Sequence, residues 1–95
     1  MTGYRIRYRP EAARLIATLP PETKRLLRSA IEALRVNPEK GTDLVGEYLG
    51  YRSLHVRRYR VIYRWNELTS SVEVFHVGHR RDVYETLRTL LSGSA

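Results

Sequence analysis

Cysteine is absent from the chain, which removes disulfides, thiolate metal ligands and thiol nucleophiles in one step. Lysine is nearly absent, with Lys24 and Lys40 the only two. Nothing approaches the roughly 18 uninterrupted apolar residues of a membrane span, and the arginine-studded start, Met1 to Pro10, does not read as a signal peptide. The glycines from Gly46 to Gly50 lack a phosphate-loop pattern, and three histidines without cysteines make no zinc site at any usual spacing. No serine-centred triad signature, internal repeat or low-complexity tract is present. Ninety-five residues are expected to form a single domain, 1–95, with a modest core.

What is present is positive charge. Seventeen basic residues face 10 acidic ones, a net +7, and nearly all of the positive charge is arginine. Guanidinium is a planar fork suited to phosphate, whereas lysine is the usual residue of plain solubility. The composition points to an anionic partner, either nucleic acid or a strongly acidic protein.

Hydrophobic patterning sets the elements. Tyr4 to Arg9 alternates strictly, with Tyr4, Ile6 and Tyr8 on one face and Arg5, Arg7 and Arg9 on the other, as in a half-buried strand. Pro10 opens a short helix that runs through Leu19 and stops at Pro20-Pro21. A second helix is expected from Pro21 to Val36, closed by Asn37-Pro38. After an irregular, glycine-bearing stretch, strands are expected at Arg52–Val56, Tyr59–Trp65 and Val72–Gly78. A helix at Asp82–Leu91 follows, with Val83, Leu87, Leu90 and Leu91 as its apolar stripe, before a frayed tail from Ser92 to Ala95. The order β-α-α-β-β-β-α predicts an α+β fold, a helical hairpin packed on a largely antiparallel four-stranded sheet.

Register then assigns faces. With Arg57-Arg58 as a two-residue turn, Val56 opposes Tyr59, His55 opposes Arg60 and Leu54 opposes Val61. Leu54, Val56, Tyr59, Val61, Tyr63 and Trp65 then face the helices, while His55 and Arg60 stand together on the other side. Pairing Tyr63 with Val74 adds Val72, Val74 and His76 to the core face. It puts Glu73, Phe75, Val77 and His79 beside Arg60, with Glu73 opposite Arg64. The open face is thus expected to collect His55, Arg60, Arg64, His79 and Arg80. His76 reads as a hydrogen-bonded interior histidine, Arg64 as the partner of Glu73, and Tyr84 fits either the sheet edge or a site.

Tyr59 to Tyr63 (Tyr-Arg-Val-Ile-Tyr), followed by Phe75 to Tyr84 (Phe-His-Val-Gly-His-Arg-Arg-Asp-Val-Tyr), resembles the closing half of the RelE/ParE toxins of bacterial type II toxin–antitoxin modules. The likeness extends over essentially the whole chain in element order. It implies a microbial-ribonuclease-like fold. RelE-type members enter the ribosomal A site and cut mRNA without a metal, by attack of the ribose 2′-hydroxyl on the adjacent phosphorus. ParE-type members inhibit DNA gyrase without nuclease chemistry. The nuclease branch is the expectation here and the gyrase branch the alternative.

By this resemblance Arg60 matches the phosphate-stabilising arginine, Arg80 the arginine after the Val-Gly strand, and Tyr84 the tyrosine that stacks on or orients the reacting nucleotide. Basic residues that RelE carries on the preceding strand match Ser53 and Tyr51 here, and the Gly78-to-Tyr84 spacing is shorter. His79 and His55 therefore stand in for the acid–base groups, with Arg52, Arg57, Arg58, Arg64 and Arg81 as RNA or phosphate contacts. The resemblance also implies no cofactor or metal, a bacterial or archaeal cytoplasmic location, and the ribosome and mRNA as partners. An acidic antitoxin in a hetero-oligomer completes that list.

Overall fold

The computed structural model describes residues 3–93. Strand β1 (Arg5–Tyr8) leads into helix α1 (Pro10–Ala17) and helix α2 (Pro21–Glu32). After two single 3-10 turns come β2 (Thr42–Asp43), a third such turn at Gly46–Tyr48, β3 (Arg52–Val56), β4 (Tyr59–Asn66), β5 (Ser71–His79) and α3 (Val83–Gly93). The tip of the expected frayed tail, Ser94 and Ala95, lies outside the described residues.

The sheet has five strands in the order β1-β5-β4-β3-β2, one more than the pattern predicts. The addition is β2, whose two residues pair Thr42 with Ser53 and Asp43 with Arg52; a strand that short has no periodicity to read. β3, β4 and β5 form an antiparallel meander, while β1 returns beside β5 in parallel, Ile6 opposite Val72. The second helix also stops earlier than expected. The chain tightens into a 3-10 turn at Ala33–Arg35 because the Arg35 carbonyl accepts the Tyr4 amide of the chain entering β1, at 2.9 Å.

Two cores sandwich the sheet. On one face α1 (Ala12, Ile16) and α2 (Leu27, Ile31), with Leu34, pack on Leu54, Val56, Val61, Tyr63, Val72, Val74 and Val77. On the other face Ile62 packs against Val83 and Leu87 of α3, edged by Leu44, Tyr48, Tyr51, Tyr84 and Leu91. The second face is therefore half covered, not open. Leu90 of the expected stripe falls outside the described side chains.

The β3–β4 turn follows the predicted register, Val56 opposite Tyr59 and His55 opposite Arg60. Two-residue hairpin turns need a positive φ, and Arg57 supplies it at 56°. An L-residue with a Cβ is strained there by roughly 1–2 kcal/mol, a strain glycine does not share. Arg57→Gly is accordingly expected to raise the urea midpoint, by about 0.5–1 kcal/mol in stability. An unchanged or lower midpoint would show the turn to be unstrained.

Candidate functional site

The site lies at the end of the sheet where two loops meet. The backbone amide of Arg80, just after β5, donates to the carbonyl of Arg58 in the β3–β4 turn at 2.7 Å. This one bond brings together two arginine pairs that are separate in sequence, Arg57-Arg58 and Arg80-Arg81, all four exposed. One rung further in, Arg60 stands opposite His55 on one side and Gly78 on the other. Gly78 has no side chain, so nothing on that rung of β5 covers the half-buried Arg60.

Of the described ion pairs, none involves Arg57, Arg58, Arg60, Arg80 or Arg81. Five arginines in no described ion pair thus lie within two adjoining loops and the rung beside them, with Arg57 and Arg58 bordering α2 and Arg60 on the opposite face of the sheet. The imidazole of His55, beside Arg60, has its pKa lowered, first by partial burial and then by the Arg60 charge. Both effects favour the neutral ring, the form that accepts a proton. Among the described residues no three His, Asp or Glu side chains gather as a metal site requires.

The expected site divides. His55 and Arg60 are neighbours as the register predicts, and Arg80 joins them through its loop. His79 does not: it pairs with Tyr59 and packs its ring edge-on to that tyrosine at 6.0 Å, on the α1/α2 side of the sheet. The cause is a β-bulge. Tyr63 pairs with Val74 but Ile62 pairs with His76, leaving Phe75 without a rung of its own. One extra residue inverts the parity of everything beyond it. Val77 thereby enters the helix-side core, where its place beside Arg60 had been expected, and His76 moves to the α3 side. Its Nε2 is 3.2 Å from where a Cβ on Gly78 would sit, and Val83 is equally close to that point. No sequence signal marked the bulge, apart from two bulky aromatic residues, Phe75 and His76, in a row.

Arg52 is engaged within the protein, away from the His55–Arg60 rung. It shares a rung with Tyr63 on the helix side, lies over the Trp65 ring at 4.9 Å, donates to the Gly41 carbonyl at 2.7 Å and stands 3.7 Å from Asp43. Arg64 pairs with Glu73 at 3.6 Å, as expected. Tyr84 is held in the fold: its hydroxyl donates to Ser53 at 3.2 Å, and its carbonyl accepts the Tyr48 hydroxyl at 3.0 Å. Ser53 and Tyr48, absent from the expected site, anchor α3 to the face that carries His55.

His76 is 6% exposed and its Nδ1 has no hydrogen-bond partner. The expected hydrogen bond is thus missing at that nitrogen. Burial lowers its pKa from 6.5, opposed in part by Glu11. A histidine whose folded-state pKa is depressed takes up its proton more readily when unfolded. Stability should therefore be level above pH 6.5, fall as the pH drops below it, and flatten below the folded-state value. Urea midpoints between pH 7.5 and 5 test this; His76→Gln should reduce the slope, and an unchanged slope would assign it to other groups.

The fold is an α+β sheet, and one end of it carries arginines that are in no described ion pair near His55. Residues 6–84 match the family model described as the ParE toxin of the type II toxin–antitoxin system, parDE, and the chain belongs to that family, within the RelE/ParE toxin superfamily. No curated protein sequence matches it. Among solved structures it is similar to the RelBE2 toxin–antitoxin complex of Mycobacterium tuberculosis. There the identity is 28%, with 82% of this chain and 99% of that chain covered at a TM-score of 0.76. The archaeal RelE–RelB complex of Pyrococcus horikoshii OT3 follows at 22% identity, 82% and 96% coverage and a TM-score of 0.70. The intact RelBE complex of E. coli, at 17% identity, 80% and 95% coverage and a TM-score of 0.70, shares the fold. The protein is a type II toxin of this superfamily. None of its described helices is long and apolar enough to cross a membrane.

Proposed function

We propose that the chain is a metal-independent endoribonuclease that cuts ribosome-bound mRNA and is held inactive by an acidic antitoxin. The observation that carries this reading is Arg60 beside His55, with Arg57, Arg58, Arg80 and Arg81 in the two adjoining loops and none of the five in a described ion pair. A phosphodiester there would meet Arg60 and Arg80 at its non-bridging oxygens, and neutral His55 would take the proton from the ribose 2′-hydroxyl. The new 2′-oxygen–phosphorus bond would form as the phosphorus–5′-oxygen bond breaks. The products are a 2′,3′-cyclic phosphate and a 5′-hydroxyl, whose proton comes from solvent. Arg57, Arg58 and Arg81 would hold the flanking phosphates. With His79 turned to the helix side and Tyr84 bonded to Ser53, neither supports a place in this chemistry. The RelBE complexes supply the analogy for an antitoxin, and a net +7 surface supplies its sign.

A second reading is favoured by the family match itself, whose model describes ParE toxins: a toxin that inhibits DNA gyrase by binding protein, with no nuclease chemistry. Primer extension on mRNA from translating cells, run beside a supercoiling assay on purified gyrase, separates the two. Codon-phased cuts with gyrase unaffected support the nuclease. Cleavage by the purified toxin should survive EDTA, and a loss that Mg²⁺ restores and ribosome dissociation does not explain would overturn the metal-independent mechanism. Gyrase inhibition without cuts would replace the first reading with the second.

A further inference from the structure

The face that carries Arg60 continues along the strands to a second feature. Tyr51, just before β3, meets Phe75 edge-on with ring centroids 4.8 Å apart. The Arg64 guanidinium lies over both rings, 5.4 Å from the Tyr51 centroid and 4.8 Å from that of Phe75. Arg9, at the end of β1, lies over Phe75 at 4.9 Å. Side chains from four separate stretches of chain thus form one alternating series of rings and guanidinium planes across the sheet. Plain alternation from Val74 places Phe75 on this face with Glu73; the bulge reverses only the positions beyond it.

The series is neither a core nor a plain basic patch. Arg9 and Arg64 keep 43% and 51% of their side chains exposed. Each has a carboxylate within ion-pair distance, Glu11 at 4.0 Å and Glu73 at 3.6 Å, so neither stands as an isolated charge. An acidic peptide would gain little from guanidinium groups already matched. A flat, neutral, polarisable group gains from them, since stacking on a guanidinium or aromatic plane needs no net charge.

Resting on the nuclease reading above, we infer that the Tyr51–Arg64–Phe75–Arg9 series is a stacking subsite for an unpaired RNA base flanking the cleaved phosphate. Phe75 lies three residues along β5 from Gly78, the partner of Arg60. At about 3.3 Å per residue this is about 10 Å, and because α3 covers Ile62 between the two, a strand of a few nucleotides would join them along the edge of α3. The arginines of the site hold phosphates while the series holds a base. The two halves divide affinity into a salt-sensitive part and a salt-insensitive part.

Fluorescence anisotropy with purified toxin tests the assignment, using a labelled hexauridylate and the same ribose-phosphate hexamer without bases. The wild type should bind the base-bearing strand about five- to tenfold tighter. That preference should collapse in Phe75→Leu and in Arg64→Gln, while Arg60→Ala should weaken both strands alike. Arg9→Gln, at a half-exposed position, should also lose the preference and keeps the test decisive where urea unfolding shows that one of the first two variants does not fold. A preference that survives these substitutions overturns the subsite and leaves the nuclease reading standing. Wild-type protein that binds neither strand overturns both. Binding of polyglutamate that is lost in Arg64→Gln would transfer the series to an acidic peptide and end the base assignment.

Discussion

Arg60→Ala is expected to lower the rate of RNA cleavage by about 10²–10³-fold, the usual loss on removing one electrostatic stabiliser of a charged transition state. Arg60 is held mid-strand between His55 and Gly78, with no ion-pair partner among the described residues. A rigid strand keeps its guanidinium where a loop would not. The variant should keep its fold, because the side chain is only half-buried and supports nothing else described. Arg60→Lys should recover little of the rate, since an ammonium cannot reproduce the bidentate fork. His55→Ala should change the shape of the pH–rate profile as well as its height. His79→Ala, across the sheet against Tyr59, should leave the rate within a few-fold. The readouts are cleavage on translating ribosomes and growth arrest after induction. A folded Arg60→Ala protein as toxic as the wild type would remove the nuclease assignment and favour a protein target.

Tyr63→Ala should be the most destabilising single change in the Tyr-Arg-Val-Ile-Tyr stretch, by about 3–5 kcal/mol, the range for emptying a large buried aromatic site. Tyr63 is fully buried. Its hydroxyl donates to the Pro38 carbonyl at 2.6 Å and accepts the Gly41 amide at 2.9 Å, tying the segment before β2 to the middle of the sheet. Burial raises its pKa, which keeps the hydroxyl protonated and able to donate. Tyr63→Phe keeps the ring but leaves that carbonyl and amide unmatched, so it should cost about 1–3 kcal/mol. The approach is close enough that a Cβ on Gly41 would stand 2.7 Å from the hydroxyl oxygen, so Gly41→Ala should be damaging too. Urea unfolding of the three variants checks the order, and a Tyr63→Phe midpoint equal to wild type would show the two bonds to be replaceable by water.

The same five residues show how a motif is divided by a fold. Tyr59 packs with His79, Arg60 stands opposite His55, Val61 joins the helix-side core, Ile62 the α3-side core, and Tyr63 fastens a loop. Alternation predicts which members share a face, and that much is correct. It does not predict that both faces are covered. α3 reaches the second face through contacts distant in sequence, Tyr84 with Ser53 and Tyr48, and Arg88 with Glu47 at 3.1 Å.

The sequence by itself determined the helices, the three meander strands, the β3–β4 register and the pairing of His55 with Arg60. These rest on local periodicity and a two-residue turn, both written in consecutive residues. It also determined the surplus of arginine that makes an anionic partner physically reasonable. Only the tertiary structure decided that β1 lies parallel to β5, because strand order is a choice among distant partners. It alone decided that Arg52 braces the Gly41 loop, which depends on carbonyls brought in from another segment. Above all it decided the face of His79. A β-bulge adds a single residue to one strand, and since side chains alternate with a period of two, that one residue reverses every position beyond it.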